Sequence, residues 1–296
     1  MVHHSSCPLC LSENVVIKFS CTDHFISKEE FKIVQCQKCG FQFTQDCPDE
    51  KEIGRYYESE EYISHSNTSK GLTNTLYQVA RGFMLHRKQS IVNKLTLKKR
   101  GSILDIGSGT GHFADKMMGG GWQVKGIEIN DKARELSKVQ FGLDVISPDE
   151  ISSLPSDSFD CITLWHVLEH FHNPFKYADE IHRMLKPGGV CLIALPNCDS
   201  FDAEHYKEFW AAYDVPRHLW HFNPATFKLF VEKAGFRVKE IRNLPLDVFY
   251  ISLLSEKYKK TSLAFFKGMI RAKFYAFHSF FNKERSSSLI YILNKL

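Results

Sequence analysis

The stretch that most constrains this chain is GSILDIGSGTGHF, residues 101–113. A short apolar run ends on an acid, Asp105, and passes into three glycines at every second position, Gly107, Gly109 and Gly111. That pattern predicts a buried strand, a tight turn and the start of a helix. The same alternation continues downstream. HFADKMMGGG reads as a helix with a glycine stop, WQVKGIEIN as a strand, DKARELSKVQFG as a helix and DVIS as a short strand. DCITLWHVLEH contains a strand running into a helix, YADEIHRMLKPGG is a helix closed by a turn, VCLIALPN is a strand, and NPATFKLFVEKAGF is a further helix before RVKEIRNL. Strands separated by helices make a parallel, doubly wound α/β sheet. Ligands of such sheets sit at the carboxyl ends of the strands.

The turn discriminates among ligands. A dinucleotide fingerprint, G-x-G-x-x-G/A, counted from Gly107 would need Gly or Ala where this chain has His112. A phosphate-cradling Walker loop ends in Gly-Lys-Ser/Thr, which is absent. An acid immediately before the glycines suits a cationic ligand better than a pyrophosphate. Glu128 closes the second strand, 17 positions after Gly111, where an acid takes the two ribose hydroxyls of an adenosine. Adenosine with a charged amine and no phosphate describes S-adenosylmethionine.

On these residues the chain resembles class I S-adenosylmethionine-dependent methyltransferases. LDIGSGTGHF is similar to their first motif, GIEIN to the second acidic position, and LPSDSFDCITLWHVLEHFHNP to the fourth-strand region. RMLKPGGVCLIALPN and VEKAGF match the later segments in the same order. The resemblance implies a Rossmann-like sheet with a final antiparallel strand, SSSLIYILNKL, and S-adenosylmethionine as cofactor. It places Asp105, Gly107, Ser108, Gly109, Gly111, Glu128, Ile129, Trp165 and His166 at the cofactor, with Asp149 or Glu150 as the adenine-side acid. The branch it points to acts on sugars, quinones and other small metabolites.

A second constraint lies at the front. CPLC and CQKCGF present Cys7, Cys10, Cys36 and Cys39 as two CxxC knuckles, the spacing of a four-thiolate zinc site. NVVIKFSC and FKIVQC between them read as strands of a small zinc ribbon. About 40 residues bury little core, so the metal supplies stability. Four thiolates close the site, which points to structure rather than metal catalysis. The remaining cysteines, Cys21, Cys47, Cys161, Cys191 and Cys198, lack paired spacing and read as buried thiols. The expected organisation is a zinc-ribbon module over 1–50, a linker and covering helix over 51–100, and a methyltransferase domain over 101–296 with a helical insertion near 250–285. Tyr57, Tyr62 and His65 precede the covering helix in a polar segment, either a flap over the active site or a solvated linker.

Transfer of an activated methyl needs an in-line acceptor atom and, for a hydroxyl or amine, a base. The stretch FWAAYDVPRHLWHFNPATF crowds Asp214, Arg217, His218 and His221 after the fifth strand. Similar methyltransferases carry a Pro-x-His-Leu-x-His-Phe stretch here, so His218 or His221 is the expected base, with His170 and Glu169 as a structural pair. In the tail, Phe266, Ile270, Phe274, Phe277 and Phe281 recur at helical spacing with Lys267, Arg271 and Lys273 between them. Packing on its own domain is the plainest expectation for that helix; surface membrane association through 263–281, pairing with another subunit and capping of the acceptor site are the others. No apolar run of ~18 residues predicts a membrane span, and the N-terminus lacks a signal-peptide core, so a cytoplasmic protein is expected. The 38 Lys and Arg stand beside 34 Asp and Glu, a net charge of +4 that makes nucleic acid an unexpected partner. The leading expectation is O-methylation of a small molecule. The alternatives are an RNA methyltransferase that grips its substrate with the zinc module, and a non-catalytic interaction module.

Overall fold

The computed structural model describes residues 1–57, 72–97 and 100–296, with backbone alone for 72–77. The strands are β1 Val15–Thr22, β2 Glu30–Cys36, β3 Gln42–Gln45, β4 Ser102–Ile106, β5 Gln123–Ile127, β6 Val145–Ile146, β7 Phe159–Trp165, β8 Leu185–Pro196, β9 Trp220–His221, β10 Phe236–Asn243 and β11 Ser288–Lys295. The helices are α1 Leu72–Thr96, α2 His112–Gly119, α3 Asp131–Phe141, α4 Pro174–Met184, α5 Phe201–Tyr206, α6 Pro224–Lys233, α7 Asp247–Tyr258 and α8 Ala264–Phe281.

Seven strands form the main sheet in the order β10-β11-β8-β7-β4-β5-β6. β4 to β8 run parallel, and β11 inserts antiparallel between β8 and β10. The expected α/β methyltransferase-type sheet with a reversed strand is therefore present. β11 reads SLIYILNK because both its faces are covered: Leu289, Ile290, Tyr291, Ile292 and Leu293 are all buried. Each such side chain contributes about 1.5–3 kcal/mol of transfer energy. Helix α1 lays Ile91 and Val92 on the sheet beside Ile103, Phe113 and Trp122.

Two boundaries differ from the sequence reading. The strand β7 does not run into a helix. A short 3-10 turn at Leu168–His170 intervenes, and α4 begins only at Pro174, where Asn173 caps it through Lys176 N. The β8 strand begins at Leu185, so LKPGG lies in the strand and not in a helix-ending turn.

The front module is a second sheet, in the order β1-β2-β3-β9. Its last strand comes from the far side of the sequence. Gln42 pairs with His221 and Phe43 with Trp220, so the segment between β8 and α6 completes the front sheet. One apolar cluster runs from Cys7, Leu9, Val34 and Phe43 through Trp220 and Phe222 into the main sheet. Arg217 and Asp23 reinforce the join as a buried pair at 3.0 Å, and Arg217 also holds Asp214 and the Tyr56 carbonyl.

The stretch 250–285 forms an antiparallel pair, α7 and α8, inserted between β10 and β11. Gly268 lets the pair approach closely, since a Cβ there would lie 3.0 Å from Leu253 Cα. The inner face of α8 is Gly268, Ala272, Tyr275 and Ser279, all buried. Its phenylalanines do not pack on the domain as the sequence led us to expect. They face outward.

Candidate active site

The first glycine turn sits at the carboxyl end of β4, beside the point where the sheet order reverses between β4 and β7. The three glycines are not needed for the same reason. Gly107, at φ +73°, passes so close to Val167 that a Cβ would lie 2.3 Å from its Cγ2. Gly111, at φ +85°, packs against Leu143 and Ser137. Gly109, at φ +54°, faces open space: a Cβ there meets nothing within 4 Å. Packing explains the first and third; the middle one keeps a ligand-sized approach clear.

The loop is pinned to the next strand. Gly107 N and Ser108 N donate to Ile127 O at 2.7 and 3.0 Å. Gly109 N donates to Glu128 Oε2 at 2.8 Å, while Asn130 N donates to Oε1 at 2.9 Å. Glu128 therefore stands on the rim of the glycine turn, with exposed Ile129 beside it. Asp105 lies beneath, 2% exposed, accepting from Thr163 Oγ1 at 2.6 Å. Burial pushes its carboxyl up to about 7, against the pull of Thr163 and of Lys88 on α1. Lys88 Nζ is 4.3 Å from the centre of the Trp165 ring, and burial lowers its pKa while Asp105 and Asp247 raise it. Two buried polar atoms here have no partner among the described residues, Ser108 Oγ and Trp165 Nε1.

At the end of β7, His166 adopts φ +60° and turns its ring between two carboxylates. Nε2 lies 3.0 Å from Asp247 Oδ2 and Nδ1 3.5 Å from Glu169 Oε1. Burial opposes the imidazolium, but the two acids hold its pKa up at about 9. Both acids thus favour the protonated form of His166.

Glu169 is the hub of a second group. It is 1% exposed, and among the described residues its Oε1 has His166 Nδ1 at 3.5 Å as its nearer charged neighbour. His218 Nε2 stands 4.0 Å from Glu169 Oε1 and 4.0 Å from Asp214 Oδ2. His218 Nδ1 lies 2.8 Å from Ala212 O, which assigns the ring proton to Nδ1 and leaves the Nε2 lone pair free. The His170 ring is edge-on to His218 at 4.6 Å between centroids; its Nδ1 contacts Arg217 O at 3.0 Å and Tyr57 Oη at 2.9 Å. Burial, followed by the His218 neighbour, drives the His170 pKa down to about 4. Glu169, His170 and His218 offer ligand atoms within 4.8 Å of one another, a grouping able to hold a divalent cation.

The other expected groups lie elsewhere. The buried His221 ring, in the front sheet, has Nε2 3.0 Å from Thr44 Oγ1, and burial presses its pKa well below normal. Glu150 is occupied in a capping box, accepting from Ser147 N at 3.1 Å, and Asp149 is exposed beside it. Tyr62 and His65 lie outside the described residues. Thr163, Asp247 and Asp23 were not legible as site residues, because each reaches its partner across more than 50 positions of sequence; Lys88 lies near Asp105 in sequence but within a long helix that carries no motif.

The four front cysteines converge. Cys7 and Cys39 sulfurs are 3.6 Å apart, Cys10 and Cys36 sulfurs 3.5 Å, and all four lie within 4.8 Å of one another as free thiols. The two knuckles repeat one geometry. Leu11 N donates to Cys7 O and Gly40 N to Cys36 O, each from a residue at positive φ.

A family model described as a methyltransferase domain matches residues 80–241, just over half of the 296-residue chain. A probable S-adenosylmethionine-dependent methyltransferase of Mycolicibacterium smegmatis is 25% identical over 180 residues, 59% of this chain and 65% of that protein. A ubiquinone biosynthesis O-methyltransferase of Burkholderia vietnamiensis is 33% identical over 101 residues, 32% of this chain. The chain spans only 44% of that relative's length. Among solved structures, the complex between the Haloferax volcanii Trm112 methyltransferase activator and the putative methyltransferase gives a TM-score of 0.51 at 14% identity, covering 77% of this chain and 99% of the matched one. That likeness is one of fold. Together with the glycine turn at the β4 switch point, the family match shows that this chain belongs to the methyltransferase domain family.

Proposed function

We propose that the chain transfers a methyl group from S-adenosylmethionine to the hydroxyl of a small-molecule acceptor, with His218 as base. The observation that carries the cofactor is the pair of carboxylates, Asp105 and Glu128, flanking a turn whose middle glycine faces open space. S-adenosylmethionine supplies a methyl already activated on a positive sulfur. Glu128 would exchange its hold on Gly109 N for the ribose hydroxyls, Ile129 would lie along the adenine, and Asp105 and Trp165 would border the methionine part. The unpaired Ser108 Oγ and Trp165 Nε1 are consistent with a polar ligand at that edge.

His218 would accept the acceptor's proton on Nε2 while the methyl passes to the acceptor oxygen and the sulfur keeps the electron pair of the broken bond. The resulting imidazolium is stabilised by Glu169 and Asp214, and its Nδ1–H stays on Ala212 O. His166 is the poorer base, because both its ring nitrogens face carboxylates, and His221 is committed to the Thr44 contact. Support for a hydroxyl acceptor comes from the relatives named for O-methylation. The cysteine cluster fits zinc: at Zn–S distances of ~2.3 Å, tetrahedral sulfurs stand roughly 3.8 Å apart, close to the distances above. In this reading Cys7, Cys10, Cys36 and Cys39 hold the metal, and the front sheet in turn holds β9 and the His218 segment.

The test has two arms. Calorimetry should show S-adenosylmethionine and its demethylated product binding the full chain; absence of both ends the proposal. Label transfer from methyl-tritiated cofactor to a panel of phenols, sugars and short RNAs should favour phenols or sugars. Base removal in His218→Ala should lower turnover at least 100-fold, and full turnover would exclude it.

A further inference from the structure

Helix α8 exposes an apolar face that nothing in the chemistry above uses. Phe265, Phe266, Ile270, Phe274, Phe277, Phe280 and Phe281 are each between 57% and 75% exposed. Projected at ~100° per residue, Phe266, Ile270, Phe274, Phe277 and Phe281 form one stripe about 180° from the buried face of Gly268, Ala272, Tyr275 and Ser279. Lys267 and Lys273 fall on opposite shoulders of that stripe, roughly 60° to either side. At ~1.5 Å per residue the helix is about 27 Å long. It carries Lys267, Arg271 and Lys273, and no helix among the described residues is long and apolar enough to cross a membrane.

We infer that α8 lies in the surface of an anionic lipid bilayer, with its phenylalanine stripe among the acyl chains and its lysine shoulders at the headgroups. Charge decides the occupant. Residues 256–285 hold eight Lys and Arg against two acids, Glu256 and Glu284. Glu256 is buried and paired with Arg271, and Arg285 is paired with Glu204. Lys257, Lys259, Lys260, Lys267, Lys273 and Lys283 remain, with no ion pair among the described residues. An apolar stripe with lysines on both sides is the arrangement of an in-plane interfacial helix. A second copy laid on this face about a two-fold axis would bring the same lysine shoulders together, like charge against like. The inner face is fixed independently of lipid: Gly268 allows the close approach to α7, and Arg271 Nε binds Glu256 Oε1 at 2.9 Å. The helix is therefore already built before it meets a membrane, and its ordering does not draw on the binding energy.

The experiment is co-sedimentation of the full chain with vesicles of phosphatidylcholine alone and of phosphatidylcholine with phosphatidylglycerol at about 3:1, at low and high salt. It involves no methyl transfer, so it stands or falls apart from the proposed activity. Binding is expected to the anionic vesicles and to weaken in high salt. Lys267→Gln with Lys273→Gln should weaken it about tenfold or more. Phe266→Ser with Phe274→Ser and Phe277→Ser should abolish it, with an unchanged circular dichroism spectrum because the replaced rings are exposed. Wild-type protein that stays in the supernatant with anionic vesicles overturns the inference. So does a dimer in vesicle-free sedimentation that the phenylalanine variant converts to monomer.

Discussion

Replacing Asp23 by Ala should loosen the join between the front sheet and the segment that carries His218. Asp23 is 1% exposed and accepts from Arg217 Nη2, Ser27 N, Ile26 N and Phe25 N. Burial alone would raise its pKa, but the Arg217 hydrogen bond and the backbone donors outweigh it and hold the carboxyl at about 2 against an ordinary 3.8. At ~1.4 kcal/mol per unit, that depression contributes about 2 kcal/mol of stability at neutral pH. Removing the carboxylate also leaves Arg217, 2% exposed, with Asp214 as its remaining acid. Breaking one partner of a buried pair costs roughly 3–5 kcal/mol, and the surviving Asp214 contact places the expectation near ~3 kcal/mol. A depressed carboxylate stabilises above its unfolded pKa and stops doing so as pH falls through the folded one. The difference between wild type and Asp23→Ala should thus be full at pH 7, about half-reduced in its titrating part near pH 3, and smallest near pH 2. Urea unfolding followed by tryptophan fluorescence at pH 7 and pH 3 measures it. A difference at pH 7 below about 0.5 kcal/mol, the usual size of a surface change, would refute the join as described.

Glu128→Ala should weaken S-adenosylmethionine binding at least tenfold by calorimetry, about 1.4 kcal/mol; unchanged affinity removes Glu128 from the ribose. Asp105 has its pKa raised to about 7, so its stability contribution is full below its unfolded pKa and is lost as pH climbs toward 7. Asp105→Asn should therefore stabilise the ligand-free protein at pH 8 by about 2 kcal/mol or more, and the gain should vanish near pH 4 in thermal melts. Cys36→Ser should release zinc in elemental analysis and lower turnover although Cys36 is remote in sequence from His218; intact turnover without metal would separate the module from the chemistry. Magnesium or manganese added to protein treated with a weak chelator should leave the rate unchanged. A metal-dependent rate would make Glu169, His170 and His218 ligands and displace the base.

Much of the main sheet was legible because its signals are local. The SILDIGSGTG stretch encodes strand and turn within ten residues, and Asn130, Asn173 and Asn223 each cap the helix that follows them. The paired CxxC spacing likewise made the cysteine cluster readable. The assembly of the two sheets was not. A two-residue strand such as β9 carries no periodicity, and its pairing with β3 spans more than 170 positions. For the same reason His218 and His221 looked equivalent in PRHLWHF. Only the pairing turns one ring toward Glu169 and the other toward Thr44. The outward face of α8 was misjudged because helical spacing reports an apolar stripe but not which of two stripes is covered.

The β3–β9 pairing also limits how the protein can be rebuilt. The matched family region begins at residue 80, so a fragment trimmed to it would keep β9 and discard its neighbour. Trp220 would lose its Phe41 and Phe43 packing, and the His218 carbonyl would lose Thr44. Grafting an acceptor segment from a relative without the cysteine knuckles would open the same seam from the other side. Any redesign of the segment around Trp220 therefore has to be drafted together with the distant stretch around Phe43.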